Sequence, residues 1–219
     1  MATKKQISES FRLSAILSFS GGLQDAYTYN MRGHVFANAQ TGNVVLMSQH
    51  FMQSNWWLGF RYLIPIISFA LGILTAEQIG NRYKYLERIH WRQIILLLEI
   101  VLLVIVGFLP KDYDMLANVI VSFSCAMQVQ SFRSFHGYGY ASTMCIGNLR
   151  SGTESLSEYL RDRDKSALRK AINYYGIILI FAVGAGVGGV LSTIIGIKTI
   201  WVSVALLGVD CLMMIRKPQ

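Results

Sequence analysis

Two polar motifs stand inside otherwise apolar sequence. The first reads Ala37-Asn38-Ala39-Gln40-Thr41-Gly42-Asn43, the second Ser142-Thr143-Met144-Cys145-Ile146-Gly147-Asn148. Their pairs, Gly42-Asn43 and Gly147-Asn148, lie 105 residues apart in a 219-residue chain. On the structural reading, each glycine permits a tight turn and each asparagine caps it. On the functional reading, each pair starts or stops a half-helix. A half-helix N-terminus offers free N–H groups and a positive dipole end, which suit an anion or carboxylate. Free carbonyls at the other end suit a cation. Thr41 and Asn43 supply a hydroxyl and an amide to orient a bound group. Asp25, next to Gln24, falls about midway along an apolar stretch. A carboxylate at membrane depth is costly, so it must face a cavity, a partner or a protonation site. Its structural reading is a buried hydrogen bond to Gln130 or to a motif asparagine.

Other chemistry-bearing residues form no constellation. Glu99 and Asp210 sit in plainer apolar runs and read as packing or ion-pair groups, with Arg61, Arg133 and Arg150 as candidate partners. Arg133 and Arg150 also suit a snorkelling position at a membrane interface. Cys125, Cys145 and Cys211 lie in apolar segments without metal-binding spacing, and the four histidines do not cluster, so no metal and no cofactor is expected. Gly184-Ala185-Gly186-Val187-Gly188-Gly189 matches a dinucleotide fingerprint in letters only. That motif needs a strand before it and a helix after it in a soluble unit, whereas this run is uncharged and of membrane length. Its small residues at spacing four read as a close helix contact, within the chain or across a homodimer. Glu154 and Glu158 share a helix face but are flanked by Arg150 and Arg161, as on a solvated interface. No triad spacing is present, and no enzyme activity is expected beyond a residual membrane-embedded one.

The elements that carry these residues are membrane helices. The chain is 53% hydrophobic and 15% charged, with mean hydropathy +0.41; soluble domains carry about 25% charged residues. Residues 93–109 hold one acidic group, Glu99, and residues 171–197 hold no charge. A span needs about 20 apolar residues. The net charge of +8 does not point to nucleic acid, because the basic residues fall between apolar runs as the positive-inside rule requires. Gln24 and Asp25 interrupt the first run, so it reads as a retained helix, not a cleaved signal. Trp56, Trp57, Trp91 and Trp201 fall at span ends as interfacial anchors.

Eight segments are apolar enough to enter a bilayer: 12–31, 36–53, 57–80, 93–109, 115–135, 138–160, 171–195 and 198–215. If all eight crossed, the basic 81–92 segment would face outward, against the charge rule. If the two motif segments do not cross, six spans remain with both termini cytoplasmic. The N-terminus, 81–92, 161–170 and the C-terminus then share the inside with 14 of the 20 Lys and Arg. The motif segments therefore read as re-entrant or broken, although a full crossing by a polar-faced helix stays open. Each half has three crossings, so repeat one (12–109) and repeat two (115–215) must be oppositely oriented, a transporter and channel architecture. Gly22-Leu23-Gln24-Asp25-Ala26 echoes Met127-Gln128-Val129-Gln130-Ser131 at offset 105. Phe69-Ala70-Leu71-Gly72 echoes Phe181-Ala182-Val183-Gly184 at offset 112, and Glu99 echoes Asp210 at 111.

Gly-Leu-Gln-Asp-Ala at 22–26, Ala-Asn-x-x-Thr-Gly-Asn at 37–43 and the Gly-Asn at 147–148 resemble the bacterial YoaK-type membrane proteins, a domain of unknown function. The resemblance covers nearly the whole chain. Where the family's second copy also reads Thr-Gly-Asn, this chain has Ile146. The resemblance implies a multi-pass inner-membrane protein and supplies no substrate. The residues add the rest: an all-α membrane protein that transports or conducts a small polar solute or ion. Asp25, Gln24, Asn38, Thr41, Gly42, Asn43, Gln130, Gly147 and Asn148 form its expected site, and Asp25 is its candidate for proton coupling. The alternative is a scaffold or sensor without flux. The lipid bilayer, the solute and a homodimer through the Gly184–Gly189 helix are the expected partners.

Overall fold

The computed structural model describes residues 10–83, 90–135 and 138–215. Among them are eight α-helices: α1 (Phe11–Met31), α2 (Gln40–Met52), α3 (Trp56–Tyr83), α4 (Trp91–Phe108), α5 (Asp114–Ser131), α6 (Cys145–Asp162), α7 (Lys165–Ile195) and α8 (Ile200–Ile215). A two-residue antiparallel hairpin pairs Ser134–Phe135 with Tyr138–Gly139. Each of the eight apolar segments carries one helix. The motif segments start as irregular chain and turn helical only at Gln40 and Cys145. Much of the basic 81–92 segment, residues 84–89, lies outside the described residues, as do Lys4, Lys5, Arg216 and Lys217.

Local chemistry sets the helix ends. Ser10 caps α1 through its hydroxyl, which accepts from Leu13 N at 3.3 Å. His90 Nδ1 accepts from Arg92 N at 3.2 Å and Gln93 returns the bond to His90 N at 3.1 Å, a reciprocal cap on α4. Asp164 caps α7 through Ser166 N at 2.8 Å. Gly196 takes φ 60, ψ −133, which a side chain disfavours, and there α7 breaks from α8.

Among the described residues, three stretches are long and apolar enough to cross a membrane: α3, α4 and the 51 residues Lys165–Ile215, which contain α7 and α8. Their outward faces are hydrocarbon: Ile67, Leu71 and Leu74 on α3, Val101, Ile105 and Phe108 on α4, Leu179, Val190 and Ile194 on α7. An exposed apolar surface of this extent belongs in lipid, not water. α1 and α5 are of another kind. They are buried, and much of what they bury is polar: Ser14, Ser18, Ser20, Gln24, Asp25 and Thr28 on α1, Asn118, Ser122, Ser124 and Gln128 on α5. Central helices shielded by neighbours need no apolar face, which is why hydropathy ranks them low.

Packing exchanges partners between the halves. α1 packs on α7 and α8, α5 packs on α3 and α4, and α4 meets α8. α2 lies on α3 as α6 lies on α7. Burial repeats at a constant offset: Leu13, Leu17, Ser20, Gln24 and Tyr27 of α1 correspond at 104 to Ala117, Val121, Ser124, Gln128 and Ser131 of α5, all buried. A Cβ on Gly72 would strike the Phe123 carbonyl, and one on Gly184 the Phe19 carbonyl, the same contact in each half. Gly22 meets the Phe181 carbonyl from the other side of this interface, and Gly188 meets Leu23. The small-residue contact expected of Gly184–Gly189 therefore lies within the chain, at the α1–α7 crossing.

A buried cation ties α1 to the α4–α5 turn. Arg32, fully buried, donates to Tyr27 Oη at 2.8 Å and to the carbonyls of Val106, Leu109 and Pro110 at 2.8–3.2 Å. It pairs with Asp114 at 2.9 Å. The Val106 and Leu109 carbonyls end α4, so the guanidinium also meets the negative end of that helix.

Candidate functional site

Each motif asparagine makes the same clip. Asn43 Nδ2 donates to the Phe36 carbonyl at 2.7 Å while its Oδ1 accepts from Phe36 N at 3.1 Å. Asn148 Nδ2 donates to the Ala141 carbonyl at 2.7 Å and its Oδ1 accepts from Ala141 N at 3.4 Å. In both halves the amide pairs with the residue seven places back and closes the irregular chain onto the first turn of the helix. Both asparagines are buried by this role. Their glycines differ from it: Gly42 packs on the Phe36 ring, and Gly147 has open space around it.

The clips place both helix starts against one stretch of α1. Past Met31 the chain reverses through Gly33 (φ 81) and His34 (φ 63). It returns along α1 until Asn38 N donates to Asp25 Oδ1 at 2.7 Å. Asp25 lies six residues before the end of α1, about 9 Å of helix, so α2 begins well inside the bundle. At 13 residues it spans about 20 Å, short of a bilayer core of about 30 Å. The N–H groups of Ala37 and Ala39 also point at the Asp25 carboxylate, and Asn38 Nδ2 reaches the Gly21 carbonyl at 3.3 Å. From the other half, Thr143 packs on Gly21, where a Cβ would collide with its methyl. The Ser142 hydroxyl donates to the Gln128 amide oxygen at 3.2 Å.

Between these two helix starts lies a cavity of about 920 Å³. Its polar lining comes from Asp25 and Asn30 of α1, Asn38, Gln40 and Thr41 at the start of α2, and Thr143 and Gly147 at the start of α6. Phe36, Ile66, Phe69, Ile73, Ile146 and Phe181 make the rest largely apolar. Two buried polar atoms beside it have no protein partner, Asn38 Oδ1 and Thr143 Oγ1. Of the residues expected at the site, Asp25, Asn38, Thr41 and Gly147 line this cavity. Gly42, Asn43 and Asn148 stand behind the lining. The remaining two are elsewhere. Gln24 faces the bundle centre, where it donates to Glu99 at 3.3 Å. The Gln128 amide, turned with its nitrogen toward Glu99, donates there too at 3.1 Å. Gln130 bonds Glu77 near the end of α3, with Arg133 beside it at 3.8 Å. Of the two partners expected for Asp25, Gln130 or a motif asparagine, the bond is made with Asn38, through its backbone N. The helices repeat at 104, not 105, so Gln24 corresponds to Gln128 and Asp25 to Val129.

Sequence reasoning missed three parts of this arrangement. Arg32 and Asp114 lie at helix ends, and the burial of Arg32 alone marks the pair. Glu99 with its two glutamines was hidden by the one-residue register. The unpartnered hydroxyl of Thr143 was in plain view within the second motif, at the position of Asn38 in the first.

The comparisons agree with a membrane protein of this kind. The chain is 25% identical over 185 residues to the UPF0700 transmembrane protein YoaK of Bacillus subtilis (strain 168), covering 79% of this chain and 80% of the relative. No solved structure matches it. The model of the family described as "Protein of unknown function (DUF1275)" matches residues 13–213. That match takes in all eight helices but their outermost residues, and the chain belongs to this family.

Proposed function

We propose that the protein is a multi-pass transporter or channel of the bacterial cell (inner) membrane for a small polar solute or ion, with its site in the cavity between α2 and α6. One observation carries this reading: two half-helices from separate halves of the chain begin at the same stretch of α1 and open onto one cavity beside Asp25. Irregular backbone at such depth is tolerated where protein or water surrounds it, and transporters place substrates at such helix ends. α1, α3, α4, α5, α7 and α8 are the six crossings, with both termini cytoplasmic. The exchanged packing and the twin clips support two repeats, and three crossings per repeat make them inverted. Asp25 is the carboxylate through which protons couple to transport. The test is uptake into proteoliposomes from a panel of metabolites and ions at two external pH values. Uptake above protein-free vesicles, abolished or made pH-independent by Asp25→Asn, is the expected result. A panel without uptake sends the reading to its rival, a scaffold or sensor, which is favoured by how much motif polarity the clips consume.

A further inference from the structure

Two carboxylates take no part in the cavity. Glu99 on α4 and Asp210 on α8 are both fully buried, on helices that pack together, and they echo each other at offset 111. Arg61, Arg133 and Arg150 were their expected partners, yet neither forms an ion pair among the described residues. Their surroundings differ. Glu99 receives the amide nitrogens of Gln24 and Gln128 at 3.3 and 3.1 Å. Asp210 receives none: both of its oxygens are buried without a hydrogen-bond partner among the described residues. The charge that acts on it is that of Glu99, of its own sign. The other titratable groups around the pair are Asp25 of α1 and Cys125 of α5 on the Glu99 side, with Tyr140 and Cys211 on the Asp210 side. None of these is a cation. Arg92, which acts on Tyr140, gives its Nε to the Ser131 carbonyl at 2.9 Å.

A buried carboxylate with neither a cation nor a donor keeps its place by holding a proton or a bound ion. A metal ion does not suit the pair, because hard cations take about six or more oxygen ligands and the Glu99 oxygens already face two N–H donors. We propose that Glu99 and Asp210 form a proton-binding pair. Asp210 holds one exchangeable proton, taken from and returned to cytoplasmic water, and Glu99 is the neighbouring carboxylate that the two glutamines stabilise. Depth supports the cytoplasmic side. In the topology proposed above, Asp210 lies five residues from the inner end of α8, Glu99 eight from that of α4 and Asp25 fourteen from that of α1. These are about 8, 12 and 21 Å of helix, so the three carboxylates step inward from the cytoplasm. Gln24 joins the last two. It adjoins Asp25 in sequence, bonds Glu99, and accepts from the Cys125 thiol at 2.6 Å. The proton at the pair is thus felt beside the cavity. That link rests on reading the cavity as the solute site; the pair itself does not.

Infrared spectroscopy of the full-length protein in detergent separates protonated carboxyl groups, by their free-acid C=O stretch, from ionised ones. Near neutral pH the wild type should show this band, and heavy water should shift it because the proton exchanges with the bulk. Asp210→Asn should remove the band, whereas Asp25→Asn should leave it in place. Asp210→Asn and Glu99→Gln keep the shape and bury no new charge, so their melting temperatures should equal or exceed wild type. In membranes, dicyclohexylcarbodiimide, which reacts with protonated carboxyls in apolar surroundings, should modify Asp210 with or without sodium. Protection by sodium would make this a cation site and overturn the proton. A wild type without the band, a band that heavy water does not shift, or one that survives Asp210→Asn would overturn the pair. Where a solute is taken up, pH dependence unchanged in both Asp210→Asn and Glu99→Gln would overturn the link to the cavity. The band, its loss in Asp210→Asn and no uptake of any solute would uphold the pair and count against transport alone.

Discussion

At the scale of single residues, some groups build the site and others face it. Asn43 and Asn148 build it. Asn43→Ala should leave the Phe36 N–H and carbonyl without partners and cost about 1–3 kcal/mol, read as a lower melting temperature in detergent, and Asn148→Ala should do the same through Ala141. Asp25 does both. Asp25→Asn keeps an acceptor for Asn38 N, so its melting temperature should fall only slightly while uptake or its pH dependence is lost. Asp25→Leu should unfold the α2 start as well, because that N–H is orphaned. Arg32→Ala should be the most damaging of these, at about 3–5 kcal/mol, since it strands Asp114 and three carbonyls. Asp25, Asn38 and Thr41 were legible as cavity residues from their polarity in apolar sequence. The asparagine clips were not. A side chain reaches a backbone seven residues back only if the intervening chain doubles over, and nothing in residue type announces that. Gln130 was misplaced for a related reason: two glutamines, Gln128 and Gln130, offered two registers, and burial alone chooses between them.

At the scale of elements, close helix contacts decide the packing. A methyl on Gly22 meets backbone, the Phe181 carbonyl, which cannot swing away. Gly22→Ala gains about 1 kcal/mol of helix propensity and loses about 1–3 kcal/mol or more to overpacking, so destabilisation should win. Gly186 has open space above it, and Gly186→Ala should be neutral or mildly stabilising; similar losses in both variants would refute the α1–α7 geometry. The start of α4 carries a pH response. Burial, with the Arg92 charge nearby, lowers the His90 pKa from 6.5, and its neutral Nδ1 accepts from Arg92 N. The folded state thus favours neutral His90. This contribution is complete above the unfolded value and is lost as pH falls through the lowered one. Protection of the amides of residues 91–93, measured against their intrinsic exchange rates, should fall on acidification, and His90→Asn should remove that dependence. The eight helices were readable as apolar segments. Their ends at Gln40 and Cys145 were not, because the clip and not a capping residue sets where each helix begins.

At the scale of the whole molecule, the proposed six-crossing topology has a direct test. In a cysteine-free variant, single cysteines at 86 and 165 should react with an impermeant reagent only from the cytoplasmic side, and one at 112 only from outside; outside labelling at 86 would break the six-crossing arrangement. The proposed internal repeat was visible in the sequence through Asn43, Asn148, Gly72 and Gly184, where a clip or a close contact to backbone dictates residue type. It faded in α1 and α5, where the repeat preserves burial and not identity, Leu13 against Ala117 and Gly22 against Ala126. The exchange of packing partners was beyond sequence altogether, since no local pattern says that α1 sits on α7. The central claim is that the cavity between α2 and α6 is a route across the membrane. It is tested without knowing the solute by placing one cysteine at Thr41 in the cysteine-free background. Sealed right-side-out and inside-out vesicles are then treated with a small membrane-impermeant thiol reagent. A transport pathway predicts that position 41 reacts in both orientations. Reaction in one orientation alone, or in neither, would contradict it.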